Sequence, residues 1–149
     1  MRQVPQTRLR RNREKPFVRR LVAENRLAAD DLIYPMFIID GKNQRSAVKS
    51  MPGIERLSID LAVKEVESLA ALGLNSIALF PNVEASLRTL DGREAYNPKG
   101  LVPGALAALK AAVPEVGVIT DAALDPYTSH GQDGLVDDNG YVANDVTVK

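Results

Sequence analysis

The chain has 149 residues, 45% of them apolar and 26% charged, the balance of a folded globular domain and not of a disordered or collagen-like chain. In its first half nothing longer than the eight-residue run Leu32–Ile39 goes without a charged residue or a turn former, and that run contains Pro35, so no membrane span is expected. There is no cysteine, which excludes disulfides, iron–sulfur clusters, thiolate zinc and a cysteine nucleophile together. The basic amino terminus runs into Pro16-Phe17-Val18 and two more arginines instead of an apolar core, so it does not read as a secretory signal, and a cytoplasmic location is expected.

The formal net charge of zero conceals two opposed parts. Residues 1–26 carry nine Lys and Arg against two acids, a net of +7, and residues 27–149 carry ten against seventeen, a net of −7. A basic arm such as Arg8-Leu9-Arg10-Arg11-Asn12-Arg13 suits either nucleic acid or the acidic face of a neighbouring subunit. Only Phe17 supplies an aromatic ring near it, and the acidic remainder repels phosphate. Nucleic acid is therefore the weaker reading.

In chain order, Phe17–Asn25 has the spacing of a short helix with one apolar face. Asp31–Asp40 is a continuous apolar run, as in a strand buried on both faces, with Pro35 predicting a bulge or irregular pairing. Gly41–Ile54 is polar and reads as a loop ending in a turn. Ser58 is placed to cap a helix whose apolar residues Ile59, Ala62, Val63, Val66, Leu69 and Ala70 share one face, and Gly73 stops it. A second short strand follows at Ser76–Pro81, and residues 82–97 read as loop with one helical turn near Glu84–Leu87. A second helix spans about Leu101–Val113, with Pro103 tolerated in its first turn and Pro114 ending it. Val116–Asp121 is a third strand, and the glycine- and aspartate-rich remainder ends in an edge strand at Tyr141–Val148. The order strand, helix, strand, helix, strand, without a hairpin signal, predicts right-handed crossovers and a parallel sheet. Three such strands make a small open sheet or the first part of a larger fold, since a complete (β/α)8 barrel takes about 250 residues.

Ligands of parallel sheets collect at the carboxyl ends of the strands. Asp121 closes the third strand and is a candidate acid or ligand by position, although an aspartate there also serves simply to start a turn. From Asp121 to Gly134 the chain packs three carboxylates (Asp121, Asp125 and Asp133), two hydroxyls, a phenol and the single imidazole, His130. Asp125 and Asp133 suit a hard cation such as magnesium, or no ion at all in a solvated loop. His130 alone more often makes a loop hydrogen bond than it binds a metal or moves a proton.

Several strings are recognisable together: Asp31-Leu-Ile-Tyr-Pro35, Ser50-Met-Pro-Gly53, Arg56-Leu-Ser-Ile-Asp60, Leu79-Phe-Pro81, Glu94-Ala-Tyr-Asn-Pro98, Thr120-Asp121 and Tyr127-Thr-Ser-His-Gly131. In this order, from about Arg8 to the last residue, the chain resembles the porphobilinogen synthase (5-aminolevulinate dehydratase) family. The resemblance implies a TIM barrel, of which this chain holds the amino-terminal arm and roughly the first three strand–helix units. Residues 1–30 would be an arm for subunit association and residues 31–149 a partial barrel. It implies a homo-oligomer, commonly an octamer, held through the arm, with neither nucleic acid nor membrane as partner. The implied reaction condenses two 5-aminolevulinate molecules to porphobilinogen with loss of two waters, in tetrapyrrole (haem) biosynthesis.

The resemblance places the family's active-site aspartate on Asp121. Where its zinc-dependent members carry three cysteines, this chain has Ala123, Asp125 and Asp133. Thiolates select zinc and carboxylates do not. The resemblance is therefore to the cysteine-free type, for which magnesium, sometimes with potassium, is the activator, and Asp125 and Asp133 are the metal candidates. The family's Schiff-base lysines belong to later barrel strands. The seven lysines here, Lys15, Lys42, Lys49, Lys64, Lys99, Lys110 and Lys149, fall in the arm, loops, helix faces and terminus, so these residues alone are expected to be inactive. The alternative is a non-catalytic assembly module that keeps the arm and half-barrel.

Overall fold

The computed structural model describes residue 3, residues 5–8 and residues 10–149; Leu9 of the basic run and positions 1, 2 and 4 of the arm lie outside the described residues. The arm holds two short helices, α1 (Arg11–Glu14) and α2 (Pro16–Leu21). The helix expected to run to Asn25 ends at Leu21. Phe17 is 60% and Leu21 81% exposed, so its apolar side has little cover among the described residues, and a short helix without tertiary packing does not propagate.

The body is a five-stranded sheet in the order β2-β3-β1-β4-β5, built from β1 (Tyr34–Ile39), β2 (Arg45–Ala47), β3 (Glu55–Ser58), β4 (Ser76–Pro81) and β5 (Gly117–Thr120). Strands β3, β1, β4 and β5 are mutually parallel, as the alternation of strands and helices requires. The stretch read as a loop at 41–54 instead contains β2, which pairs antiparallel with β3 in a hairpin. Three exposed residues at a sheet edge carry no alternation of apolar and polar side chains, so periodicity could not reveal them. The Arg45–Glu55 ion pair across this hairpin, 2.8 Å long, is exposed and adds little to stability.

Pro35 causes no bulge. It sits in unbroken register opposite Ala78 of β4, whereas pairing with β3 begins only at Phe37. At Pro35 the strand thus has a neighbour on one side only, the situation in which a missing amide donor is tolerated.

Helices α3 (Ile59–Ala71) and α4 (Leu101–Ala112) pack together on one face of the sheet. Leu61, Ala62 and Val66 of α3 and Leu101, Ala105 and Leu109 of α4 meet Met36, Ile38, Ile77 and Leu79 of the strands in one buried cluster. The expected stripe on α3 holds, with Leu61 added to it. Gly73 ends α3 at φ +90°: its amide reaches the Ala70 carbonyl at 2.9 Å and the Leu74 amide reaches Leu69 at 3.1 Å, the paired bonds of a Schellman stop that a side chain at Gly73 would strain.

Ser58 does not cap α3 through its side chain. Its buried hydroxyl donates to Asp60 Oδ1 at 2.6 Å and accepts from the Gln44 amide at 3.0 Å, while the Asp60 carboxylate accepts from the Asn43 amide. The Ser58 hydroxyl, aided by Asn43, holds the Asp60 carboxyl below the usual carboxylate range. The network ties the loop after β1 to the start of α3.

Among the described residues, α3 and α4 leave the opposite face of the sheet uncovered. The first strand, expected to be buried on both sides, buries Met36 and Ile38 beneath the helices but leaves Phe37 and Ile39 half-buried on the bare side. Ile119 of β5, on the same side, is 48% exposed. The edge strand expected at Tyr141–Val148 is replaced by one bridge, Val136 to Val142, and a helical turn, α5 (Asn144–Thr147). The Thr147 hydroxyl accepts from the Leu135 amide at 3.0 Å and donates to the Ala143 carbonyl at 2.8 Å, local bonds that compete with strand pairing. No helix among the described residues is long and apolar enough to cross a membrane.

Candidate active site

Residues opposite one another in a parallel sheet project to the same face. Phe37 pairs with Arg56 on one side and Phe80 on the other, and Leu79 pairs with Thr120, so the next residue in that register, Asp121, falls beside Phe80. Arg56, Phe37, Phe80 and Asp121 therefore form a row across four strands on the bare face, near the carboxyl ends. They share a concavity of about 270 Å³ with Asn82, Ala123, Asp125 and Tyr127. The rings of Phe37 and Phe80 lie 5.9 Å apart and tilted by 41°, a favourable aromatic arrangement that separates a cation from a carboxylate.

Of the residues singled out from the sequence, Asp121 and Asp125 both line this concavity, as does Ala123. Asp121 Oδ1 accepts from the Ala123 amide at 3.2 Å. Asp133 does not line it. Its Oδ1 accepts a hydrogen bond from the Leu124 amide, closing the segment from 124 to 133 on itself. Inside that segment Thr128, fully buried, donates to the Gln132 carbonyl at 2.8 Å. Among the described residues no three His, Cys, Asp or Glu side chains gather as a ligand set. The donors available are carboxylate oxygens without sulfur. They suit magnesium, which keeps several waters and takes one or two carboxylates, better than a closed protein cage.

Arg56, Phe37, Phe80, Asn82 and Tyr127 were not singled out beforehand. Register, which a single strand's periodicity does not contain, brings Arg56, Phe37 and Phe80 together, and Asn82 and Tyr127 join them from the loops after β4 and β5. Burial, reinforced by Glu94, pushes the Tyr127 phenol above its usual range, so it stays protonated and able to donate at neutral pH. No lysine lines the concavity among the described residues. Lys110 binds the carbonyls of Pro114 at 3.2 Å and Val116 at 2.5 Å, at the end of β5 remote from Asp121.

The loop between β4 and α4 flanks the site and is stiffened by Asp91. Its carboxylate receives Arg93 through Nε at 3.1 Å and a terminal nitrogen at 2.9 Å, and the Thr89 hydroxyl at 2.6 Å. Arg93 first, then Thr89, lowers the Asp91 carboxyl from 3.8 to about 2. A carboxyl lowered by folding stabilises the native state above its unfolded pKa, and that contribution is lost as pH falls through the folded value. The destabilisation caused by Asp91→Asn is accordingly expected to be full near neutrality and to vanish between pH 3.8 and about 2, measured by urea unfolding across that range. A difference that persisted unchanged at the acid end would contradict this.

Residues 6–149 match the family model described as delta-aminolevulinic acid dehydratase. The delta-aminolevulinic acid dehydratase of Bradyrhizobium diazoefficiens is 54% identical over 139 residues, covering 93% of this chain and 39% of that protein. The Chlamydia pneumoniae protein of the same name is 42% identical over 140 residues, covering 94% of this chain and 42% of its own length. Among solved structures, the Toxoplasma gondii delta-aminolevulinic acid dehydratase in complex with the reaction product porphobilinogen superposes with a TM-score of 0.89 at 45% identity, covering 96% of this chain and 41% of that one. The chain thus spans about two fifths of the length of these relatives, and its sheet and helices are a partial TIM barrel of their type. It belongs to the delta-aminolevulinic acid dehydratase family.

Proposed function

We propose that this chain is the amino-terminal part of a porphobilinogen synthase, a lyase that condenses two 5-aminolevulinate molecules to porphobilinogen with loss of two waters in tetrapyrrole biosynthesis. The observation that carries the reading is Asp121, at the carboxyl end of β5 in the concavity with Asp125 and Tyr127, within a chain 54% identical to a named dehydratase. At about 270 Å³ the concavity is smaller than the ~300–1,000 Å³ of ligand pockets, which suits one wall of a site completed by later strands.

In this role Asp121 has one oxygen oriented by the Ala123 amide and uses its carboxylate to accept a hydrogen bond from substrate amine or from a water. Tyr127, kept protonated by burial, donates to a carbonyl or departing oxygen. The aromatic pair keeps water from the floor. A Schiff base requires an amine that can lose its proton near neutral pH, and the lysines here lie away from the concavity, so this chemistry belongs to residues that the chain does not contain. With borohydride and 5-aminolevulinate, the 149-residue chain is expected to take up no covalent label, while a polypeptide of the relatives' length is labelled on lysine. Labelling within residues 1–149 would refute the assignment, and no labelling of either would favour the assembly module.

Magnesium is proposed as activator, and Asp125 and Asp133 are the residues that would hold it. When bound it supplies positive charge beside the concavity. Asp125→Ala, and Asp133→Asn, which keeps an acceptor for the Leu124 amide, are each expected to raise the magnesium needed for half-activation of the complete enzyme about tenfold or more. Unchanged magnesium dependence would reject this loop as the site. The arm is proposed to dock on a neighbouring subunit of a homo-oligomer, supported by its net charge of +7 against an acidic body and by the exposed Phe17 and Leu21.

A further inference from the structure

Two separate loops meet beside the site. Thr89, after β4, forms a parallel bridge with Thr128: its amide donates to the Tyr127 carbonyl at 3.1 Å and its carbonyl accepts from the Ser129 amide at 3.0 Å. Gly92 packs against the same place, where a Cβ would stand 3.4 Å from the Thr128 methyl. The bridge is extended by one side chain. His130 Nε2 lies 3.1 Å from the Leu90 carbonyl, and its Nδ1 lies 3.1 Å from the Gln132 amide nitrogen.

These partners leave the ring no choice of tautomer. A carbonyl only accepts, so Nε2 carries the hydrogen; a backbone amide only donates, so Nδ1 is bare. A proton on Nδ1 would face the Gln132 N–H, and its removal from Nε2 would leave two acceptors face to face. Both ring nitrogens are occupied in the resting structure, and His130 is not among the residues lining the concavity.

We propose that His130 is a positioning residue: as the Nε2–H tautomer it bolts the loop carrying Asp121, Asp125 and Asp133 to the loop between β4 and α4, and it moves no proton. The inference deepens the dehydratase reading, since what it positions is that reaction's aspartate, but its geometry stands without it. The stiffness of the anchoring side comes from Asp91, which binds both Thr89 and Arg93. The pull on the site side passes through Gln132, whose carbonyl holds the buried Thr128 hydroxyl one residue before Asp133 closes on Leu124.

His130 is the single histidine of the chain, so 15N-histidine labelling reports one ring. For the neutral ring, nitrogen spectra in solution, or under magic-angle spinning where the chain associates, are expected to show a hydrogen on Nε2 and a bare, hydrogen-bonded Nδ1. Averaged tautomers or a protonated Nδ1 would overturn the proposal. Three substitutions then separate the two bonds. His130→Gln keeps a donor toward Leu90, His130→Asn keeps an acceptor toward Gln132, and His130→Ala keeps neither. Amide exchange of Thr89 and Ser129 is expected to speed about fivefold in the Ala and Asn variants, the effect of one net hydrogen bond, and to stay near the parent rate in Gln. Unchanged exchange in the Ala variant would also overturn it. In a polypeptide with dehydratase activity, His130→Ala is expected to lower kcat more than it raises KM, with His130→Gln restoring it. The correct tautomer and exchange pattern in a protein that never forms porphobilinogen would leave the bolt standing and remove only the function.

Discussion

The structure depends on one constraint, the unbroken parallel register of β3, β1, β4 and β5. Side chains alternate along each strand, so that register decides two things together. It sends Met36, Ile38, Ile77 and Leu79 under the helices, where they join the buried core. It sends Arg56, Phe37, Phe80 and Asp121 to the other face as one row. A slip by a single residue would exchange the two sets, exposing the core and burying the charges. Site and stability are therefore specified by the same pairing.

The segment after β5 shows how a loop rich in polar groups keeps a shape. Its carboxylates, hydroxyl and imidazole bind backbone groups of their own or the neighbouring loop: Asp133 to Leu124, Thr128 to Gln132, His130 to Leu90. Buried side-chain polar atoms are all satisfied among the described residues, which a low-dielectric pocket demands. Where thiolate relatives of the family are expected to gather a zinc ion, this chain has oxygen donors, and one of them spends an oxygen on the main chain. Oxygen donors of this kind suit a hard cation rather than one selected by thiolates.

Helices α3 and α4 were legible because their apolar residues repeat at helical spacing over three turns, with Gly73 and Pro114 as stops. The strands β1, β4 and β5 were legible as short apolar runs. The hairpin strands β2 and β3 were not, since their pairing depends on a distant strand and their outer residues are wet. The arm helix and the carboxyl-terminal segment misled for a related reason: apolar residues such as Leu21, Tyr141 and Val148 suggest packed elements, yet they stay exposed among the described residues. Asp121 could be found by its position at a strand end. Arg56 and Phe37 could not, because only the register between strands brings them beside it. Asp133 is a ligand candidate by its place in the acidic loop and by the resemblance, and nothing in the sequence announces its bond to Leu124.

The central claim is that the bare face of the sheet is the interior of a barrel and bears one wall of its active site. The chain has no cysteine, so Ile119→Cys introduces a single thiol on that face. The account predicts that this thiol reacts readily with a small alkylating reagent in the 149-residue chain and is protected in a polypeptide of the relatives' length that contains the same residues. Equal, rapid reaction in both would mean that the face stays open to water, and would contradict the account.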